Sequence, residues 1–103
     1  MSRSSATLVP PAHIRRLFNE GRYQERLDAG ELVAELRKSK HPSAPRARMP
    51  VCTRSQTLVY LNGRRRFVAI VHQYLLPSGR LGASGRPDPK LLRHEGRIYQ
   101  AFG

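Results

Sequence analysis

The sequence predicts an α+β fold in which two N-terminal helices precede a small antiparallel sheet of three or four strands. Two observations predict it: apolar residues recur at helical spacing only before residue 41, and two β-rich segments after residue 50 flank a turn-forming Asn-Gly pair. The length of 103 residues suits one domain, and the hydrophobic share of 39% allows only a small core. We therefore expect a disordered tail over residues 1–9 and a single domain over residues 10–103.

The segment "PPAHIRRLFNEGRYQERL" predicts the first helix, because Pro11 suits a first-turn position. Its apolar face would consist of Ile14, Leu17 and Phe18. Gly21 weakens the middle of the segment, so the helix either ends there or restarts before Leu27.

A second helix is predicted from about Glu31 to Lys40, because Asp28 and Glu31 have the spacing of a capping pair. The buried stripe of this helix would be Leu32, Val33 and Leu36. Its last turn would hold three bases that complement the helix dipole, Arg37, Lys38 and Lys40.

Residues 41–50, "HPSAPRARMP", contain three prolines and two arginines and predict an extended basic connector. Connectors of this composition lie along nucleic-acid backbones in some proteins and are plain linkers in others. The sequence leaves both roles open.

The strongest local pattern is a β-hairpin formed by "QTLVYL" and "RRRFVAIVHQYLL" around a two-residue turn at Asn62 and Gly63. That turn would pair Leu61 with Arg64, Tyr60 with Arg65, Val59 with Arg66 and Leu58 with Phe67. The three arginines would then occupy the solvent-facing end of the hairpin. Residues 77–80 predict another turn, a short turn or helix would follow near Leu91, and residues 97–102 predict a last strand.

Charge is the main indication of function. The chain has 19 Lys and Arg against seven Asp and Glu, a net charge of +12, and no acid from Leu36 through Pro87. Most of the bases are arginine, whose planar fork suits bidentate phosphate contacts. A GC-rich genome is an alternative explanation of the arginine excess, but it would not explain the missing acids. We therefore predict a nucleic-acid-binding protein, with RNA or a ribonucleoprotein favoured over a specific DNA site because no recognition helix is evident.

The candidate binding residues combine basic side chains with two tyrosines of the hairpin. They are Arg46, Arg48, Arg54, Tyr60, Arg64, Arg65, Arg66, Tyr74, Arg80, Arg86 and Lys90. The two tyrosines would either stack on unpaired bases or pack in the core. The Gly-rich segment 77–90 fits neither nucleotide-binding glycine motif, so we interpret it as a phosphate-contacting loop or an ordinary turn.

No cofactor or metal is predicted, because Cys52 and the four histidines show no ligand spacing. One cysteine excludes an internal disulfide, and neither a signal peptide nor a membrane-spanning stretch is evident. These features predict a cytoplasmic protein without a membrane partner.

Two other functions remain open. A basic protein of this size can dock on an acidic protein surface as an adaptor or inhibitor of a nucleic-acid-processing complex, of the phage or mobile-element type. The hairpin arginines together with His72, Tyr74, His94 and Glu95 also include the groups needed to cleave RNA. In outline, the basic strands of the C-terminal half resemble small messenger-RNA-cleaving toxins of the RelE and ParE type, although no N-terminal strand of the kind those toxins have is predicted. An enzyme is the less favoured reading.

Overall fold

The computed structural model describes residues 6–40, 52–82 and 85–102. The elements in chain order are β1 (Thr7–Val9), α1 (Pro11–Glu20), α2 (Tyr23–Asp28), β2 (Val33–Lys40), β3 (Arg54–Leu61), β4 (Phe67–Leu75), β5 (Asp88–His94) and β6 (Arg97–Ala101). They form one six-stranded mixed sheet in the order β1-β6-β5-β4-β3-β2. The predicted layout of two helices followed by three or four antiparallel strands is therefore wrong.

Strand β1 lies within the segment that the sequence assigned to a disordered tail. It pairs in parallel with β6, with Thr7 beside Tyr99, and the Phe102 N–H donates to the Val9 carbonyl at 3.1 Å. Val9 is only 8% exposed, so burial of its side chain supports the pairing. The N-terminal strand that the sequence did not predict is thus present, and residues 1–5 lie outside the described residues.

The largest correction concerns the predicted helix over residues 31–40, which is strand β2. This strand pairs antiparallel with β3, from Val33 opposite Leu61 to Lys40 opposite Ser55. Asp28 is the last residue of α2 and caps no following helix. The spacing of the leucines fits a helix locally, but pairing with β3 decides the conformation, since strand formation depends strongly on tertiary context.

The outer position of β2 in the sheet explains its polar composition. Val33 and Leu36 are 55% and 54% exposed, whereas Leu32, just before the strand, is 2% exposed. The basic residues Lys38 and Lys40 lie on this edge strand and complement no helix dipole. Charged side chains on an edge strand discourage pairing with further strands.

Helix α1 confirms the prediction from the sequence: it begins at Pro11 and buries Ile14 and Phe18. It ends at Glu20 because Gly21 caps it, and a Cβ at Gly21 would overlap the ring of Tyr23. Tyr23 begins α2 and packs 5.7 Å from the Phe18 ring, centroid to centroid. The glycine thus allows two short helices to fold closely against each other.

The β3–β4 hairpin is present, but its turn spans residues 62–66 instead of two residues. The Asn62 N–H donates to the Arg66 carbonyl at 2.9 Å, and the Asn62 side-chain oxygen accepts the N–H groups of Arg64 and Arg66 at 2.9 and 3.1 Å. The true pairs are Leu61 with Phe67, Tyr60 with Ala69, Val59 with Ile70 and Leu58 with Val71. All four predicted pairs are therefore wrong, because the asparagine side chain organises a wider turn that keeps the three arginines out of the ladder.

The core lies between the helices and the sheet. It consists of Val9, Ile14, Phe18, Tyr23, Leu32, Tyr60, Val68, Ala69, Val71 and Leu92. Helix α1 packs mainly on β5, where Leu92 is fully buried, so the predicted turn or helix near Leu91 is in fact a central strand. Both helices leave the outer part of β3 and β4 uncovered on this face, and a cleft results there.

Candidate nucleic-acid interface

The β3–β4 hairpin divides the predicted binding residues into two groups. Residues 64–66 lie in its turn, whereas Arg54 pairs with Leu75 at the other end of the strands. The eight residues of β3 separate these ends by roughly 25 Å, at about 3.3 Å per residue. We call them the turn end (residues 62–66) and the connector end (residues 38–40, 54–55, 74–82 and 85–90).

The turn end is less positive than the sequence suggests. Arg65 Nη2 lies 2.6 Å from Glu35 Oε2, and Arg37 Nη2 lies 3.2 Å from the other oxygen of that carboxylate. Arg64 and Arg66 are exposed. Because β2 is a strand beside β3, one acid of β2 offsets part of the charge of the turn.

The connector end collects the remaining described candidates. Arg54 Nη1 donates to Ser39 Oγ at 3.5 Å, and Lys40 lies opposite Ser55. Arg80 closes the predicted turn after β4, where its carbonyl accepts the Leu76 N–H at 2.8 Å. The chain leaves this end at Lys40 and returns by Cys52; Arg46 and Arg48 belong to the predicted connector, which lies outside the described residues.

A cleft of about 950 Å³ lies on the helical side of the sheet, and its lining runs from Ala34 and Tyr60, near the turn end, to Gly82 and Arg86 at the connector end. This volume is within the range of roughly 300–1,000 Å³ that small-molecule sites occupy. Apolar surface comes from Phe18, Leu58 and Tyr60, amides from Asn19, Gln24 and Gln73, and charges from Arg15, Arg86 and Asp88. A polar and cationic cleft with an aromatic base is therefore present beside the basic side chains.

Asp88 is the acid of this cleft, and two cations hold its carboxylate. Arg15 Nε lies 2.9 Å from Oδ1, and Lys90 Nζ lies 2.8 Å from Oδ2. Burial alone would raise the pKa of Asp88, but the hydrogen bonds from Arg15 and Lys90 outweigh it and lower the pKa below its usual value. Asp88 thus holds two cationic side chains in place, those of Arg15 and Lys90, and these cations offset its negative charge. Lys90, one of the predicted binding residues, is therefore already paired with an acid.

Tyr60, predicted as a stacking residue, lies in the core instead of on an exposed face. It is 2% exposed, and its ring centroid lies 6.1 Å from that of Phe18. Burial, with a smaller contribution from Asp28, raises the pKa of Tyr60 to about 12. Its hydroxyl donates to Gln24 Oε1 at 3.3 Å, and Gln24 Nε2 donates to Asp28 Oδ1 at 3.2 Å.

Tyr74 is half-buried at the cleft beside His72. The two rings meet edge to face with centroids 4.9 Å apart, and His72 Nε2 lies 2.7 Å from Ser55 Oγ. Burial and, secondarily, the charge of Lys90 lower the pKa of His72, while Asp88 opposes them. The lowered pKa favours the neutral imidazole, whose Nε2 can form a hydrogen bond with the Ser55 hydroxyl.

His94, the other histidine considered for RNA cleavage, has a structural position. It is 9% exposed, and its Nδ1 lies 2.8 Å from the Tyr23 hydroxyl, which also donates to the Arg93 carbonyl at 3.2 Å. These bonds join α2 to β5, away from the connector end.

We expect the free energy of unfolding to fall as the pH drops below about 6.5, the ordinary pKa of His72, because the unfolded chain then binds a proton that the folded protein disfavours. His72→Gln should show a smaller decrease between about pH 7.5 and pH 5.5. The lowered pKa of Asp88 changes the free energy of unfolding only below about pH 3.8, its usual pKa, and so has no effect between pH 7.5 and pH 5.5. Urea unfolding at both pH values measures the difference; equal decreases in the two proteins would contradict a lowered pKa.

Sequence reasoning missed the helical half of the cleft. Arg15 and Asn19 are four residues apart on α1 and so lie on one flank of it, beside the apolar face. That spacing was readable from the sequence, but the contact of Arg15 with Asp88 at the start of β5 was not. Gln24 and Gln73 carried no sequence signal of their own.

The chain matches no family model, no curated protein and no solved structure. Within residues 6–40, 52–82 and 85–102, no three His, Cys, Asp or Glu side chains are grouped so that they could hold a metal ion. The helices of the described part of the chain are too short and too polar to cross a bilayer.

Proposed function

We propose that the protein binds nucleic acid, preferably RNA or a ribonucleoprotein, through its connector end. The observation that carries this proposal is that Arg54 and Arg80 lie at the connector end, where Arg86 lines a cleft whose acid, Asp88, is already held by two cations. A phosphate backbone that binds along the connector end would contact basic side chains, and the one carboxylate of the cleft would not repel it strongly because that carboxylate is already paired with two cations. The cytoplasm is the proposed location, where the single Cys52 would stay reduced.

The helices support binding of an RNA strand better than reading of a DNA major groove. Helix α1 has ten residues and buries Ile14 and Phe18 against the sheet, so it does not project as a recognition helix. Contacts made mainly by arginines to phosphates release counterions and make affinity strongly salt-dependent. The predicted ligand is therefore a flexible polyanion whose shape matters more than its sequence.

Two matched triple variants test the assignment. Replacing Arg54, Arg80 and Arg86 with alanine should reduce the slope of log K against log salt by about 2, at roughly 0.7 per phosphate contact on a single strand. Replacing Arg64, Arg65 and Arg66 removes the same formal charge, but the reduction should be smaller because Arg65 is paired with Glu35.

Fluorescence anisotropy with a labelled single-stranded RNA at several salt concentrations measures both slopes, and thermal unfolding checks that both variants fold. Equal slopes in the two variants would contradict the connector end as the principal surface. Absence of salt-dependent binding by the wild type would contradict nucleic-acid binding itself and favour the adaptor or inhibitor function, in which a protein surface is the partner.

RNA cleavage is a second candidate function, supported by the contact of Ser55 with His72, a residue that lines the cleft. A neutral imidazole can accept a proton from a ribose hydroxyl, and nearby arginines can stabilise charge on phosphorus. Gel analysis of RNA incubated with the wild type and with His72→Ala tests this. Intact RNA in both samples would contradict cleavage and leave the binding proposal unaffected.

A further inference from the structure

We propose that the cleft binds one unpaired nucleobase of the bound strand, while the connector-end arginines contact its phosphates. This inference rests on the proposed nucleic-acid binding and adds the substrate class, a single strand with a base free to leave its stack. Three properties of the cleft support it, its shape, its amide groups and its charge.

The shape suits a flat, partly apolar ligand. Phe18 and Tyr60 line the cleft with their rings tilted by 48°, and Leu58 adds aliphatic surface. Phe18 and Tyr60 are held in the core and are 5% and 2% exposed, so they fix the floor of the cleft without offering a ring face for stacking. A nucleobase has two apolar faces and a polar edge. This shape matches a cleft with an apolar floor and polar walls.

The amides supply hydrogen bonds for the edge of a base. Gln73 Nε2 donates to Gln56 Oε1 at 2.9 Å, and Gln24 lies between the Tyr60 hydroxyl and Asp28. A carboxamide has two N–H donors and two acceptor positions on oxygen. These bonds occupy only part of that capacity while fixing each amide in place, so donors and acceptors remain for a ligand.

The charge favours a base that carries its phosphate. Arg15 and Arg86 line the cleft, and Arg15 is oriented by Asp88. A phosphate beside the extruded base would lie near these guanidinium groups, which suit bidentate contacts to its oxygens. In a duplex the base edges are paired and the bases stacked, so only an unpaired strand can fill the cleft without first opening.

Binding of a short RNA that carries one fluorescent adenine analogue tests the inference. The wild type should bind the single strand at least about 10-fold more tightly than a duplex of the same length at one salt concentration, because a duplex must unpair and unstack a base before that base can enter the cleft. Emission of the analogue should change on binding, because its stacking changes.

Gln73→Ala and Gln24→Ala should reduce the preference for the single strand and suppress the emission change, with the salt slope retained. Gln100→Ala, an exposed amide on β6, is the matched control and should behave like the wild type. Equal affinity for the two RNAs without an emission change would overturn the base site, while salt-dependent binding would still support the connector end. Loss of all binding in the wild type would overturn both proposals.

Discussion

Replacing Leu32 with alanine is expected to lower the free energy of unfolding by about 2–5 kcal/mol. Leu32 is 2% exposed and belongs to the core cluster, so the truncated side chain would leave a cavity beneath the helices. Leu36→Ala should change stability by less than about 0.5 kcal/mol, because Leu36 is 54% exposed on the edge strand. Urea denaturation followed by circular dichroism measures both.

This pair of substitutions is matched in chemistry and differs only in position. In the helix predicted from the sequence, the two leucines would lie one turn apart on the same buried face. Replacing either one with alanine would then lower the free energy of unfolding by a similar amount. In the structure, Leu32 lies in the core just before β2, whereas Leu36 lies on the exposed surface of β2. Similar losses would contradict the strand. Since small domains are stable by only about 5–15 kcal/mol, the expected loss at Leu32 is a large part of the total.

Gly21→Ala is expected to destabilise the protein by about 1–3 kcal/mol or more. The added Cβ would overlap the Tyr23 ring, which is 5% exposed and cannot move without breaking the hydrogen bonds of its hydroxyl to His94 and to the Arg93 carbonyl. The backbone of Gly21 has φ −79° and ψ −3°, a conformation that alanine adopts easily. Without the overlap, alanine would therefore stabilise this position.

The sign of the change at Gly21 is thus informative. Gly63→Ala is the control, because no atom lies within 4 Å of the position where its Cβ would be. That variant should leave the thermal midpoint nearly unchanged, whereas Gly21→Ala should lower it. A raised midpoint for Gly21→Ala would contradict the close packing of α1 against α2.

Those parts of the fold that depend on local chemistry were predictable from the sequence. Pro11 and the apolar residues after it define α1, and the β-rich segments around Asn62 define the hairpin strands. Strands β1 and β2 were not predictable, because each is a strand only through its partner. Thr7–Val9 is too short to signal itself, and the leucine spacing before Lys40 fits a helix equally well.

The sequence predicted which types of residue the candidate site contains, but it did not predict how those residues are arranged in space. The sequence favoured the three consecutive arginines, yet the pairing of Arg65 with Glu35 requires β2 to lie beside β3. Tyr60 stands between Val59 and Leu61, a sequence that fits a core strand as well as a stacking surface, and only the packing of α2 on it shows that it is buried, with Gln24 accepting a hydrogen bond from its hydroxyl. The cleft depends on the packing of α1 against β5, including the ion pair of Arg15 with Asp88, which no local pattern encodes.

The parallel pairing of β1 with β6 joins segments that a ribosome synthesises near the beginning and near the end of this stretch of chain. During translation β1 emerges first and has no strand to pair with until residues 97–101 have left the exit tunnel. The side chain of Val9 is not buried in the core during the same period. The edge of β5 with which β6 pairs in the finished sheet is also unpaired until then. Completion of the sheet is therefore a late step in biosynthesis, and the nascent chain passes through a state with an unprotected strand edge, where chaperones have most reason to act.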